Sequence, residues 1–259
     1  MRRLIRFWLI LGLASLAACG REHHVVHHWP AQRFYQDGVA ALKSGNYTMA
    51  IRRLQELESD YPYGRYAAQA QIVIAYAYYK NGESDAAIAA TKRFIRLHPT
   101  DARVPYAYYL MGLVEFNKNR SAIEHFFGVN QLRGRDTTSA HAALRAFGTL
   151  VRRYPHSRYA PDAAERMNYL VDMLARNDIG VARYYYTQGA YLATISRCRL
   201  VIEHYQHTPA VEDALGLMAM AYARLGLTDL SRSTAQVLAL NFPDSTYLRK
   251  LERAHILSR

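Results

Sequence analysis

The chain has 259 residues, 51% hydrophobic and 21% charged, with 33 Lys and Arg against 21 Asp and Glu for a net charge of +12. That apolar content excludes bulk disorder, and two cysteines exclude a disulfide scaffold because they allow one bridge at most. The basic excess raises the question of an acidic partner, nucleic acid or an anionic surface, which the placement of the charges must answer.

Residues 1–18 form a removable signal peptide: Arg2, Arg3 and Arg6 precede the apolar stretch Phe7 to Leu13, and small residues follow. The apolar part is too short to span a bilayer, which takes about 20 residues. Its ending, Leu16-Ala17-Ala18-Cys19, matches a bacterial lipobox, so Cys19 is expected to carry the lipid and become the mature N-terminus. Gly20 stands where Asp would favour retention in the inner membrane, which points to the outer membrane. One acyl chain anchors only marginally, so two or three chains on Cys19, palmitate among them, are expected. Loss of the signal removes three arginines and leaves a net charge of +9.

Residues 19–30 read as a tether. His23, His24, His27 and His28 could chelate a metal on a helix, but the segment has no apolar face to hold one, so no metal site is assigned. The second cysteine, Cys198, lies among helix-periodic residues and reads as a packing residue.

From residue 31 onward the chain is repetitive. Gly45 and Gly82 are 37 residues apart, as are Gly189 and Gly226, and a step of 17 from Gly45, Gly82 and Gly226 reaches Pro62, Pro99 and Pro243. An aromatic residue or His precedes each proline, Tyr154-Pro155 is a fourth such ending, and Tyr205 stands at the fifth with Gln206 in place of proline. The pattern predicts helix–turn–helix units in which Gly caps the first helix and Pro stops the second. Helical spacing of Ala70, Val73, Ile74, Ala77 and Tyr78, and no sustained alternation anywhere, predict an all-α fold. Matched to the tetratricopeptide pattern, the first unit supplies Gly38, Gly45, Ala50, Leu54 and Pro62, and about five units are expected to stack into one superhelical solenoid. The spacing places an insertion at 120–139, whose later part is a loop. It also predicts a lengthened helix from Pro161 towards Gln188. The expected division is repeats 1–3 over 31–155 and repeats 4–5 with a terminal helix over 156–259.

In such units the first helix lines a concave groove. Tyr35, Val39 and Lys43, then Tyr76, Tyr79 and Lys80, then Tyr106 and Tyr109 would form a wall of phenols with cationic ends. That wall suits an extended peptide with aromatic side chains and a terminal carboxylate. No GxSxG, HExxH or phosphate-binding glycine loop occurs, so no catalytic residue and no cofactor are assigned. The arginines mix with acidic residues, as in Arg52-Arg53 before Glu56 and Glu58, so nucleic-acid binding is not expected.

The strings YPYGRYAAQAQIVIAYAYYKNG (61–82), RFIRLHP (93–99), YAYYLMGL (106–113), FFGV (126–129) and LVRRYP (150–155) resemble the BamD family, also called the ComL or YfiO type, along nearly the whole mature chain. The resemblance implies a non-enzymatic lipoprotein on the periplasmic face of the outer membrane. It implies partners in a BamA-type barrel protein, other Bam lipoproteins and nascent barrel proteins. It associates the N-terminal repeats with substrate and the C-terminal repeats with BamA, for which Arg197, Arg199 and Glu203 are the expected contacts. The tether departs from the family's usual Pro-rich, acidic character. The alternatives are a peptidoglycan or division adaptor and a competence-linked DNA-binding lipoprotein.

Overall fold

The computed structural model describes residues 29–124 and 137–253, with only the backbone of 119–124. The signal, Cys19, the histidines of the tether and FFGV (126–129) lie outside the described residues. Eleven helices and no strand occur among the described residues: α1 Ala31–Lys43, α2 Tyr47–Asp60, α3 Arg65–Lys80, α4 Ser84–Leu97, α5 Val104–Glu124, α6 Thr138–Arg153, α7 Ala160–Thr187, α8 Tyr191–His204, α9 Ala210–Arg224, α10 Thr228–Asn241 and α11 Thr246–Arg253. None is long and apolar enough to cross a membrane.

Backbone chemistry explains the pairing. At Gly45, Gly82, Gly189 and Gly226, φ lies between 74° and 83°, a region that penalises any Cβ. The N–H of each glycine donates to the carbonyl three residues back, and the next N–H reaches five back, as in Gly45 to Leu42 (3.1 Å) and Asn46 to Ala41 (2.9 Å). This double bond closes the last helical turn and reverses the chain within three residues. The turn therefore joins α1 to α2, α3 to α4, α7 to α8 and α9 to α10.

The second helices also end alike. Tyr61, His98, Tyr154, Tyr205 and Phe242 all cap with φ between −128° and −139°, and each N–H bonds the carbonyl four residues back. Proline after the cap enforces that non-helical conformation at four of them. At Tyr205 it persists without proline, where the buried Thr208 donates its hydroxyl to the Tyr205 carbonyl at 2.8 Å.

Small residues set the spacing between paired helices. Ala50 and Ala87 are fully buried. A methyl at Gly38 would lie 2.6 Å from Leu54 Cγ, and one at Gly112 would overlap the Phe147 ring. Apolar clusters continue from unit to unit: Phe34, Leu54 and Leu57 meet Ala70 and Ile74, while Ile72 and Phe94 meet Val104 and Ala107. A fully buried Leu or Phe contributes about 1.5–3 kcal/mol, and no single pair of helices could cover both faces alone.

Residues 120–124 continue α5, residues 138–139 open α6, and 125–136 lie outside the described residues. The lengthened helix is α7, 28 residues with Pro161 in its first turn, which at 1.5 Å per residue reaches about 42 Å. It packs on α6, α8 and α9, and α11 closes the stack against α9 and α10.

Candidate functional site: a phenol cluster and an arginine-rimmed cavity

Four of the expected groove residues meet. Tyr76 and Tyr79 on α3 have ring centroids 6.2 Å apart, and they share an apolar cluster with Tyr106 at the start of α5. Tyr106 and Tyr109 both contact Tyr159, the residue capping α7, at 5.3 Å and 5.0 Å, the second pair stacked. Pairs at these distances contribute about 0.5–1.5 kcal/mol beyond simple burial, so five phenols from three units brace one another.

Burial pushes the Tyr106 phenol well above its ordinary range, and the neighbouring Tyr76, Tyr159, Tyr109 and Tyr79 add to the effect. Tyr106 therefore stays neutral as a donor and a stacking surface. Tyr109 donates its hydroxyl to Asp162 Oδ2 at 2.7 Å, and Arg166 Nε donates to the same oxygen at 2.7 Å. Burial, then the Asp162 contact, raises Tyr109, while the Arg166 guanidinium holds Asp162 below the usual carboxylate range. The Asn117 side-chain amide donates to the Tyr79 hydroxyl.

The cationic ends fall elsewhere. Lys80 is exposed and lies 6.0 Å from the Tyr47 ring on α2, while Lys43 is exposed at the end of α1. Tyr35 packs on Tyr66 at 5.6 Å rather than on the phenol cluster, and Val39 is half-buried on the same helix. The anticipated single wall is thus a compact cluster across α3, α5 and the α7 cap, with Tyr35 set apart.

Beside the cluster is a cavity of about 930 Å³ that the groove pattern did not anticipate. Tyr106 and Tyr159 belong to both. Its other walls include Ile72 of α3, Arg103 and Pro105 before and at the head of α5, and Arg153 at the end of α6 with His156 and Arg158 in the loop to α7. Arg103 forks Asp101 through Nε (2.8 Å) and Nη2 (2.6 Å), which lowers the Asp101 carboxyl. Arg158 donates to the Tyr159 hydroxyl at 2.6 Å with its guanidinium 4.8 Å from that ring. The sequence signal was the run RRYPHSRYAP (152–161), dense in Arg and aromatic residues between two helices.

Arg197 is on α8 and pairs with Asp178 of α7 at 3.1 Å. Asp178 is buried, which raises its carboxyl, while Arg197 acts in the opposite direction. Arg197 therefore ties α8 to α7, and its remaining exposed edge, with exposed Arg199 and Glu203, faces solvent. Cys198 is fully buried, and burial pushes its thiol up to about 12, as a packing residue requires. Among the described residues no cluster of His, Cys, Asp and Glu could hold a metal ion.

Comparison with known proteins places this geometry in a family. A family model described as "YfiO: Outer membrane lipoprotein" matches residues 27–238. The outer membrane protein assembly factor BamD of Neisseria meningitidis serogroup A is 41% identical over 244 residues, covering 92% of this chain and 91% of that protein. The BamD of Vibrio cholerae is 36% identical, covering 90% and 96%, and that of Xylella fastidiosa Temecula1 is 36% identical, covering 93% and 83%. With a matching family model over most of its length and relatives of this similarity, the chain belongs to the YfiO family of outer membrane lipoproteins, the family of BamD.

Proposed function

We propose that this chain is a non-enzymatic assembly factor for outer-membrane β-barrel proteins, held on the periplasmic face of the outer membrane by lipid on Cys19. The observation that carries the reading is family membership across 27–238, which includes every unit of the stack up to α10. The fold supports a scaffold role, since a stack of helix pairs presents long surfaces and each pair contacts only its neighbours. In this reading 1–18 is removed and 19–30 spans from lipid to body. Repeats 1–3 (31–155) and the α7 cap hold substrate, and repeats 4–5 with α11 (156–259) hold a BamA-type barrel protein. Other Bam lipoproteins complete the assembly.

The phenol cluster is the proposed substrate surface. Tyr76, Tyr79, Tyr106 and Tyr109 offer aromatic faces, with the Tyr79 and Tyr109 hydroxyls already engaged, which favours stacking and apolar burial of an extended segment. Arg197, Arg199 and Glu203 are the proposed edge towards the barrel protein. Purification of the tagged full chain from solubilised outer membranes is expected to recover an Omp85-type barrel, and its reproducible absence refutes the reading. Tyr79→Ala with Tyr106→Ala is expected to weaken crosslinking to a barrel's C-terminal peptide; undiminished capture removes the phenol cluster from the substrate surface.

A further inference from the structure

The cavity at the α5 and α7 caps has a chemistry the phenol cluster lacks. Its lining includes three guanidiniums, Arg103, Arg153 and Arg158, and the His156 imidazole, and no carboxylate. Arg103 is partly neutralised by Asp101, yet its Nη1 is buried with no hydrogen-bond partner. Arg153 and Arg158 have no acidic partner among the described residues, and Arg158 is held over Tyr159 by its bond to that hydroxyl. Two planar forks without carboxylates line the same cavity as the phenol rings, Arg158 held over one of them, and form a receptor for two anionic groups attached to an apolar or aromatic body.

We propose that this cavity binds an acidic segment of a partner polypeptide, carrying at least two carboxylates around an aromatic residue. A volume of about 930 Å³ accommodates several side chains. The floor of Tyr106 and Tyr159 gives an aromatic side chain a surface that a bare phosphate would leave unused. Charge complementarity thus selects an acidic peptide over a neutral one, and the floor selects a peptide over a small anion. The site needs internal carboxylates and no free chain end. It stands independently of which barrel protein the chain assembles.

The test uses the full chain in detergent and a dye-labelled peptide with a Glu-Trp-Glu core and an amidated C-terminus, read by anisotropy. The acidic peptide is expected to bind with a strong dependence on salt. The Gln-Trp-Gln peptide, and the R153E/R158E chain with the acidic peptide, are each expected to bind at least ~tenfold more weakly. Both arginines are exposed, and R153Q/R158Q repeats the comparison should charge reversal impair folding. Equal binding of the two peptides, or undiminished binding by the arginine variants, overturns the proposal. Arginine-dependent binding of lipopolysaccharide vesicles without binding of the acidic peptide overturns it in favour of a lipid phosphate. Recovery of an Omp85-type barrel with R153E/R158E keeps failure here distinct from failure of the assembly function.

Discussion

The pair formed by Arg197 and Asp178 decides how any Arg197 variant must be interpreted. Asp178 is buried on α7 and its carboxylate has Arg197 of α8 at 3.1 Å; His141 of α6 also favours its charged form, and burial, then Asp178, raises the Tyr205 phenol. Stripping one partner from a fully buried pair costs about 3–5 kcal/mol. The Arg197 side chain is 42% exposed, so water screens the pair and the expected loss for Arg197→Ala falls to about 1–2 kcal/mol.

The pH dependence follows from the direction of the shift. Burial raises the Asp178 carboxyl, and removing the guanidinium raises it further. An acid whose folded pKa lies above its unfolded value destabilises the fold while ionised, and that penalty is lost as pH falls through the folded pKa. The deficit of Arg197→Ala is therefore full where Asp178 is ionised and shrinks as pH falls and Asp178 protonates, and Asp178→Asn in the same chain removes most of it at every pH. Urea midpoints of the full chain across pH, in a double-mutant cycle, are the measurement; a coupling of at least about 1 kcal/mol is expected at neutral pH. Because His141 gains charge as pH falls, the cycle is repeated in His141→Gln, where the convergence is expected to persist. Additive single variants, or a deficit flat with pH, refute the reasoning. Asp178→Asn/Arg197→Ala then isolates any loss of barrel-protein recovery that comes from contact rather than from folding.

Three further outcomes are expected. In Gly216→Ala the new methyl overlaps the Tyr247 ring, whose hydroxyl donates to Asp213 at 2.8 Å, so a loss of about 1–3 kcal/mol and faster hydrogen exchange over 246–253 are expected; unchanged exchange contradicts the packing. Gly45→Ala, at φ 80°, is expected to lose about 1–2 kcal/mol despite open space around it. Gly180→Ala, on the half-buried face of α7 with nothing within 4 Å, is expected to gain about 0.5–1 kcal/mol, and urea midpoints of the same sign for both would refute the backbone argument. Cys198, its thiol raised to about 12, is expected to resist alkylation at mildly alkaline pH until the chain unfolds; peptide mapping that finds it labelled at the rate of a free thiol contradicts its burial.

The helix pairs were legible because two local rules repeat in the chain. A left-handed cap needs glycine, and a proline forces the preceding residue out of the helix, so Gly45 with Pro62 or Gly226 with Pro243 marks a hairpin with no knowledge of its neighbours. Tyr205 shows that the second mark is redundant, since the cap keeps its shape without proline. The site was only half legible. Spacing within α3 and α5 predicts that Tyr76 and Tyr79, or Tyr106 and Tyr109, share a face, but no spacing relates either pair to Tyr159, which follows the insertion and α6. The same periodicity puts Lys80 in the groove, but it lies near the Tyr47 ring because the last turn of α3 passes α2. The sequence offers Arg197 as a BamA contact, and its pairing with Asp178 depends on how α7 and α8 align.

The length of α7 gives the two halves of the chain a physical connection. Its first turns belong to the phenol cluster, through the Tyr159 cap, Asp162 bonded to Tyr109, and Arg166 bonded to Asp162. Its later turns belong to the C-terminal units, through Asp178 paired with Arg197 and Arg183 paired at 2.7 Å with Asp213, the same carboxylate that holds Tyr247 of α11. An α-helix is stiff along its axis because every backbone group is bonded within it, so these contacts cannot shift independently along the helix. A shift of α7 along its axis at Asp162 and Arg166 is therefore also a shift at the Asp178 and Arg183 ion pairs, about three to five turns later. In ordinary stacked repeats such a signal must cross an interface between units at each step. Here one helix serves as wall for the proposed substrate surface and as packing partner for the proposed face towards a barrel protein, which is the arrangement a factor that must bind both would need.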